Sequence, residues 1–220
     1  MSKITAIRIG GGRTKRAAVS LDGRFAFNLA AEVAASENLK TGQELSEGQV
    51  EALLKADKFH RCLEAALSYL SYRPQSESEI RQRLKRRGFA GDSIEGALSK
   101  LKEQELIDDT AFAHFWKENR DSFNPRSQRL IRLELGRKGI ATGTIDQVVD
   151  DASDSDNAYR ATRRKARSLP LADYPGFRRR LGEYLRRRGF SYDVINHTVS
   201  RMWQEREERQ QTKGGKVWIQ

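Results

Sequence analysis

LKRRGF, at positions 84–89, returns in altered form as LGRKGI at 135–140 and as LRRRGF at 185–190. Counted between the first residues of these stretches, the offsets are 51 and 50 residues (135 − 84 and 185 − 135). A register kept over three copies indicates an internal repeat, and an internal repeat sets the architecture of the chain before any single element does.

Each copy predicts a helix that ends at a glycine. Ile80 stands four positions before Leu84, and the other copies carry an aliphatic residue at the same place, so the pair lies on one helix face. The basic run suits the last turn, where cations interact favourably with the helix dipole. Gly88, Gly139 and Gly189 are then expected to end the three helices in the left-handed conformation.

The start of each of these helices is also marked. A proline stands ten residues before each leucine and is expected to open the helix; the three prolines are Pro74, Pro125 and Pro175. Ser76 and Glu79 have the spacing of a capping box. Asn124 followed by Pro125 predicts an N-cap with proline at the first helical position.

Two further helices complete each repeat. After each glycine turn, an isoleucine begins an i, i+3, i+4, i+7 pattern of mostly apolar residues, which predicts an amphipathic helix. Before each proline, a helix is expected at about 60–71, 110–121 and 157–168. Since a unit of about 50 residues has little core of its own, three in series should pack on one another.

The predicted fold is therefore mainly α, an elongated array of three tandem three-helix repeats behind a small segment that contains a β-hairpin. We expect the N-terminal segment at 1–56, the repeats at 57–108, 109–155 and 156–204, and a charged tail at 205–220. Lys213 to Lys216 should break the last helix, and Trp218 lies beyond that break.

The N-terminal segment has strand signals. Three isoleucines lie in a β-prone stretch at 4–9, and Asp22–Gly23 between two apolar runs is a strong hairpin signal. A short helix is expected at 30–39. Ser46 and Gln49 predict a capping box for a further helix, and whether that helix continues into the first repeat stays open. GGGRTK at 10–15 lacks the spacing of a phosphate-binding loop and is interpreted as a connection between strands.

Composition excludes several classes of protein. No run approaches 18 apolar residues, so no membrane span is predicted. The N-terminus lacks an apolar signal core, and the protein is expected in the cytoplasm. The single cysteine, Cys62, cannot form an internal disulfide and is expected to be a small core residue.

Nothing in the sequence predicts catalysis. His60, His114 and His197 have no metal-ligand spacing and form no nucleophile arrangement. An acidic cluster between the second and third repeats comprises Asp150, Asp151, Asp154 and Asp156. Capping and solvation explain this cluster better than a magnesium site does. We therefore expect no metal site and no enzymatic activity.

The net charge of +11 is concentrated in the repeats. Between Arg160 and Arg188 stand eleven basic residues against only Asp173 and Glu183, and like charges at helical spacing repel one another. A solvent-exposed helix face with no binding role would explain one or two cations at a helix end, but it does not explain this excess of positive charge. Because the repeats share a register, the clusters are expected to form a discontinuous basic stripe suited to a polyanion.

The candidate binding residues come from all three repeats, with the weakest cluster in the second. They are Arg81, Arg83, Lys85, Arg86, Arg87, Arg126, Arg129, Arg132, Arg137, Lys138, Arg163, Arg164, Lys165, Arg178, Arg179, Arg180, Arg186, Arg187 and Arg188. Few aromatic residues lie among them, so any nucleic-acid binding should be sequence-tolerant and weakened by salt.

Three stretches resemble the RecX family of recombinase regulators: PQSESEI at 74–80, LKRRGF at 84–89 and, most specifically, LIDDTAFA at 106–113. The resemblance covers about residues 57–204. It implies a protein that has no catalytic residues, needs no cofactor and binds along the groove of the RecA–DNA filament. We expect this protein to be a monomer. Such a protein usually inhibits ATP hydrolysis, strand exchange and coprotease activity, with roles in recombination, DNA repair and the SOS response.

Two other functions remain open at this stage. A helical DNA-binding protein with no recombinase partner needs the same charge, but it predicts equal affinity for bare DNA and for the filament. A metal-dependent nuclease built on the acidic cluster predicts magnesium-dependent cleavage.

Overall fold

The N-terminal segment forms a four-stranded antiparallel sheet with strand order β3-β2-β1-β4. A computed structural model describes residues 1–11, 15–150, 153–169 and 173–214. The strands are β1 (Ser2–Ile9), β2 (Arg16–Leu21), β3 (Arg24–Ala30) and β4 (Glu44–Leu45). Asp22 and Gly23 both have positive φ, at 49° and 79°, so the predicted hairpin between β2 and β3 is confirmed. Strand β4 was not predicted from the sequence, because it is only two residues long.

The loop at 10–15 joins β1 to β2, as predicted, although residues 12–14 lie outside the described residues. The Gly10 N–H donates to the Arg16 carbonyl across the loop at 2.8 Å. The short helix α1 (Ala31–Ser36) follows β3 where the sequence predicts it.

Helix α2 (Glu47–Leu70) is continuous over 24 residues, which answers the question that the sequence left open. Ser46 and Gln49 form the predicted capping box at its start. Leu53, in its first half, belongs to the core beneath the sheet, whereas Cys62 and Ala66 belong to the core of the first repeat. The sheet and the first repeat therefore share one helix and lie in one compact unit that ends at Asp108.

Most of the described residues after α2 are helical, so the mainly α fold is confirmed. The first unit continues with α3 (Glu77–Arg86) and α4 (Gly91–Glu103). A second compact unit begins at Asp109 and holds α5 (Asp109–Phe123), α6 (Gln128–Arg137), α7 (Thr142–Val148), α8 (Asp154–Arg167), α9 (Tyr174–Arg187) and α10 (Tyr192–Gly214). The last helix runs through the predicted charged tail to Gly214, and Trp218 lies outside the described residues.

The three glycine turns are confirmed and have the same hydrogen bonds. Gly88, Gly139 and Gly189 have φ values of 84°, 80° and 85°. The residue after each glycine donates its N–H to the carbonyl of the repeat leucine, for example Phe89 to Leu84 at 3.2 Å. This is the Schellman arrangement, in which the glycine accepts a conformation that costs other residues energy.

The predicted capping box of α3 is confirmed and the predicted N-cap of α6 is wrong, and neither helix begins at its proline, because each begins three residues after it. Ser76 and Glu79 form the capping box of α3. Asn124 and Pro125 do not cap α6, which begins three residues after Pro125. Ser127 is its N-cap and accepts the Leu130 N–H at 3.2 Å. The reason is energetic, because a serine hydroxyl that satisfies the first-turn amides fixes the start more strongly than a nearby proline does. In α9, Asp173 is the N-cap and Pro175 lies in the first turn.

The repeat leucines form the centres of the helical cores. Leu84, Leu135 and Leu185 all have 0% exposure. Within the second unit, the second and third repeats pack directly on each other. The Ser127 N–H donates to the Arg188 carbonyl at 3.0 Å. The Gln128 N–H donates to Asp154 Oδ1 at 2.7 Å.

That last bond gives one residue of the acidic cluster a structural role, because Asp154 binds the start of α6. Asp151 lies outside the described residues. Among the residues that are described, no group of three or more His, Cys, Asp or Glu side chains could hold a metal ion. In the same parts of the chain, no helix is long and apolar enough to cross a membrane.

Candidate functional site

Two of the candidate cations form equivalent ion pairs inside their repeats. Arg81, on α3, binds Glu95 of α4, and it also binds Glu77 one turn earlier. Arg132, on α6, binds Asp146 of α7 at 2.5 Å. Both pairs join residues 14 positions apart and link the middle helix of a repeat to its last helix. These two arginines therefore link helices within their own repeats. Because the partner carboxylates are exposed, each pair adds little stability.

Two more candidates surround Glu134 and Trp116 in the second repeat. The Glu134 carboxylate accepts the Trp116 indole N–H at 2.8 Å and forms ion pairs with Arg120 and Arg126. The Lys138 ammonium lies 3.9 Å from the centroid of the Trp116 ring. Because Glu134 is only 12% exposed, these charges stabilise a largely buried carboxylate and are tied to the core.

Arg83 and Arg188 pack on aromatic rings. The Arg83 guanidinium lies over Tyr69 at 5.2 Å, and that of Arg188 lies over Tyr184 at 3.9 Å. Arg188 also donates to Asn124 Oδ1 at 3.1 Å and so joins the third repeat to the second. Such stacked contacts are worth about 0.5–1 kcal/mol each at exposed sites and more when water is excluded.

The remaining thirteen candidates are exposed, and none forms an ion pair with a described carboxylate. They are Lys85, Arg86, Arg87, Arg129, Arg137, Arg163, Arg164, Lys165, Arg178, Arg179, Arg180, Arg186 and Arg187. Eight of them lie in the third repeat and only two in the second, which agrees with the weaker cluster expected there.

The densest group lies on α9. Arg179, Arg180, Arg186 and Arg187 are all exposed, and Glu183 is the one acidic residue among them. Arg178 differs, because it donates to Tyr192 Oη and Asn196 Oδ1, each at 3.3 Å. Unpaired guanidinium groups within two turns of a helix repel one another, and a bound polyanion relieves that repulsion. We call these four arginines of α9 the α9 patch.

Sequence reasoning missed a second basic surface in the first unit. A groove there is lined by Lys15, Lys58, Arg61 and Arg87, together with other residues of the sheet and of α2. Only Arg87 was a candidate, because the other three cations come from segments that meet only in the folded chain. The i, i+3 spacing of Lys58 and Arg61, which places both cations on one face of α2, is the one feature of the sequence that indicates this surface.

The single cysteine is not a reactive site. Cys62 has 0% exposure, and burial raises the pKa of its thiol to about 11. A thiol with so high a pKa is protonated at neutral pH and is a poor nucleophile.

The thirteen exposed candidate cations lie on rigid helices or at their ends, and such a surface can bind a polyanion by electrostatic attraction.

Comparison with known families identifies all three repeats. Models described as the first, second and third three-helix domains of RecX match residues 62–101, 108–149 and 153–199. Each matched segment includes the glycine turn of one repeat, and its bounds agree with those expected for that repeat to within about ten residues.

Curated relatives named Regulatory protein RecX are similar over most of the chain. The one from Listeria welshimeri is 31% identical over 161 residues, which cover 73% of this chain and 60% of the relative. The one from Clostridium botulinum is 26% identical over 204 residues, which cover 90% of this chain and 95% of the relative. This chain thus spans 60% of the length of the Listeria protein and almost all of the Clostridium protein.

Solved structures agree with this similarity. One described as the crystal structure of regulatory protein RecX superposes with a TM-score of 0.67 at 28% identity and covers 91% of this chain and 100% of its own. A second, RecX from Lactobacillus salivarius, superposes with a TM-score of 0.57 at 23% identity and supports the fold.

Proposed function

The chain belongs to the RecX family, and we propose on this basis that it is a non-enzymatic regulator of the RecA recombinase. The proposed action is binding along the groove of the RecA–DNA filament in the cytoplasm. Bound there, it inhibits ATP hydrolysis, strand exchange and coprotease activity, and so acts in recombination, DNA repair and the SOS response. We expect a monomer that needs no cofactor and no metal.

The observation that carries the proposal is the agreement of three consecutive RecX domains with the three helical repeats. The α9 patch supplies a physical means of binding. Its four arginines are exposed on a rigid helix, so they can meet acidic protein surface or phosphate groups at little entropic cost. Contacts from several repeats along a filament would add up by avidity.

The first experiment is a titration of this protein into RecA that hydrolyses ATP on single-stranded DNA. The proposal expects strong inhibition when the protein is well below the RecA concentration, because few molecules are needed to stop filament growth. Inhibition only at concentrations that coat the DNA would contradict it, and would favour the DNA-binding protein without a recombinase partner.

The α9 patch is tested by reversing the charge of all four arginines to glutamate. Four exposed cations of the first unit provide a matched control with the same change in net charge; they are Lys3, Arg8, Arg24 and Lys40. We expect the patch variant to need at least about tenfold more protein for half-inhibition, while the control stays near the parent. Equal losses in the two variants would mean that net charge, and not this patch, attracts the filament.

A further inference from the structure

An open groove of about 1070 Å³ lies in the first unit, where the sheet and the first repeat meet. Its walls come from four stretches of the chain: the start of β2, the end of β3 with the first turn of α1, the middle of α2, and the turn from α3 to α4. The lining residues are Lys15, Arg16, Ala30, Glu32, Lys58, His60, Arg61, Glu64, Ala65, Ser68, Arg87, Gly88, Phe89, Ala90 and Ser93.

Four exposed cations of this groove have no ion pair with any described residue. They are Lys15, Lys58, Arg61 and Arg87. Against them stand two lining carboxylates, Glu32 and Glu64, which leaves a balance of +2 (4 − 2). Cations that the fold gathers from three segments repel each other unless an anion joins them, so the groove is suited to a negatively charged ligand.

The fifth cation has a different role. Arg16 forms two bonds to Asp57, at 2.8 and 3.3 Å, and donates to the Asn28 carbonyl. The Asp57 carboxylate is 7% exposed and also accepts the Ala30 N–H at 2.6 Å. This network fixes the edge of the sheet against α2, so the groove is formed before any ligand binds.

On α2, the lining residues share one helix face. Lys58, Arg61, Ala65 and Ser68 follow at intervals of three, four and three positions, which is the period of a single stripe. A stripe from position 58 to 68 is about 15 Å long, since each helical residue rises about 1.5 Å. The two cations of this stripe lie at one end of it, and Lys15 and Arg87 reach the groove from other segments of the chain. Positive charge contributed from separate parts of the lining suits a chain of phosphates better than a single anion.

Ring systems in the lining indicate the form of the nucleic acid. Phe89 and His60 are half-buried and contribute to the groove surface. A cationic groove with aromatic side chains can hold a single strand, whose phosphates meet the cations while unpaired bases stack on the rings. A duplex keeps its bases stacked inside and cannot use these rings.

We propose that this groove binds single-stranded nucleic acid through its phosphate backbone, independently of any recombinase. The inference deepens the proposed function by assigning a DNA-binding role to the N-terminal sheet and α2. It rests on that function only in the choice of DNA as the ligand, because the site is tested without RecA.

The test uses the full chain and a fluorescently labelled oligothymidine, with binding followed by anisotropy over a series of salt concentrations. The groove variant carries Lys58→Gln and Arg61→Gln. The matched control carries Lys40→Gln and Lys55→Gln, two exposed cations of the same unit that do not line the groove. Far-UV circular dichroism and thermal unfolding check that both variants fold as the parent does.

A single-stranded phosphate contact contributes about 0.7 to the slope of log affinity against log salt, so losing two should reduce that slope by about 1.4. At about 0.1 M salt this corresponds to roughly fivefold per contact and roughly 25-fold in all. The control should retain the affinity and slope of the parent, and binding of a duplex of equal length should change much less than binding of the single strand.

Unchanged oligothymidine binding, or equal losses in the groove and control variants, would overturn the inference. Loss of duplex binding alone would overturn the assignment to single strands. The two proposals are tested by different measurements. Failure of the parent protein to inhibit the RecA ATPase would refute the proposed function, whereas the oligothymidine measurements on the groove variant decide whether the groove binds single strands.

Discussion

Replacing Gly189 by alanine should destabilise the protein far more than the same change at Gly88. Both glycines have positive φ, 85° and 84°, and alanine in that conformation costs about 1–2 kcal/mol. A Cβ at Gly88 would meet nothing within 4 Å. A Cβ at Gly189 would lie 2.6 Å from Ser127 Oγ and 3.0 Å from Leu130 Cβ.

The extra cost at Gly189 has two parts. Forcing Ser127 aside breaks its bond to the Leu130 N–H, and loss of an N-cap costs about 1 kcal/mol. Crowding in a packed interface adds about 1–3 kcal/mol. The expected loss is therefore about 3–6 kcal/mol for Gly189→Ala, against about 1–2 kcal/mol for Gly88→Ala.

Urea unfolding of both variants measures this difference. Far-UV circular dichroism follows the helices of the whole chain, and tryptophan fluorescence follows the second unit, which contains Trp116 and Trp203. If Gly189→Ala lost no more stability than Gly88→Ala, the contact between the second and third repeats would not have the geometry described above.

Two further predictions concern single titratable groups. A hydrogen bond from Lys102, with a further one from Arg81, lowers the pKa of Glu77 from its ordinary value of 4.5. The ionised carboxylate therefore stabilises the folded state above that pH, and the contribution is lost as the pH falls through the lowered pKa. Glu77→Gln should reduce the unfolding free energy more at pH 7 than at pH 3, and an equal loss at both would contradict this. In the native protein Cys62, whose thiol has a pKa of about 11, should resist thiol reagents at pH 8 and react only after unfolding. Rapid labelling of the native protein would contradict the burial of this side chain.

The sequence predicted the features whose causes are local. The glycine turns and the capping box at Ser76 depend on residues within one or two turns of helix, so their patterns are sufficient. The start of α6 was predicted wrongly because Asn124 and Pro125 were judged in isolation. Ser127 stands 51 positions after Ser76, the same offset that relates the two repeats, and this register identifies it as the equivalent cap.

Features that depend on packing could not be predicted in this way. The ion pairs of Arg81 and Arg132 join two helices, so their positions in a basic run gave no sign that they bind carboxylates. The strand order of the sheet could not be predicted either, because the pairing of β4 with β1 involves only two residues of each strand. The groove beside Lys58 depends on the Asp57 network, which joins segments 27 and 41 residues apart.

The continuity of α2 affects how the first unit can unfold. A helix of 24 residues is about 36 Å long, and this one contributes side chains to two hydrophobic cores. Opening of either core removes the apolar packing from half of α2, and a helix depends on such packing for most of its stability, so opening one core weakens the helix that the other core uses. The small sheet should therefore unfold together with the first repeat, to which α2 joins it. Its amide protons should exchange with solvent at the rate set by opening of the whole unit rather than by local fraying.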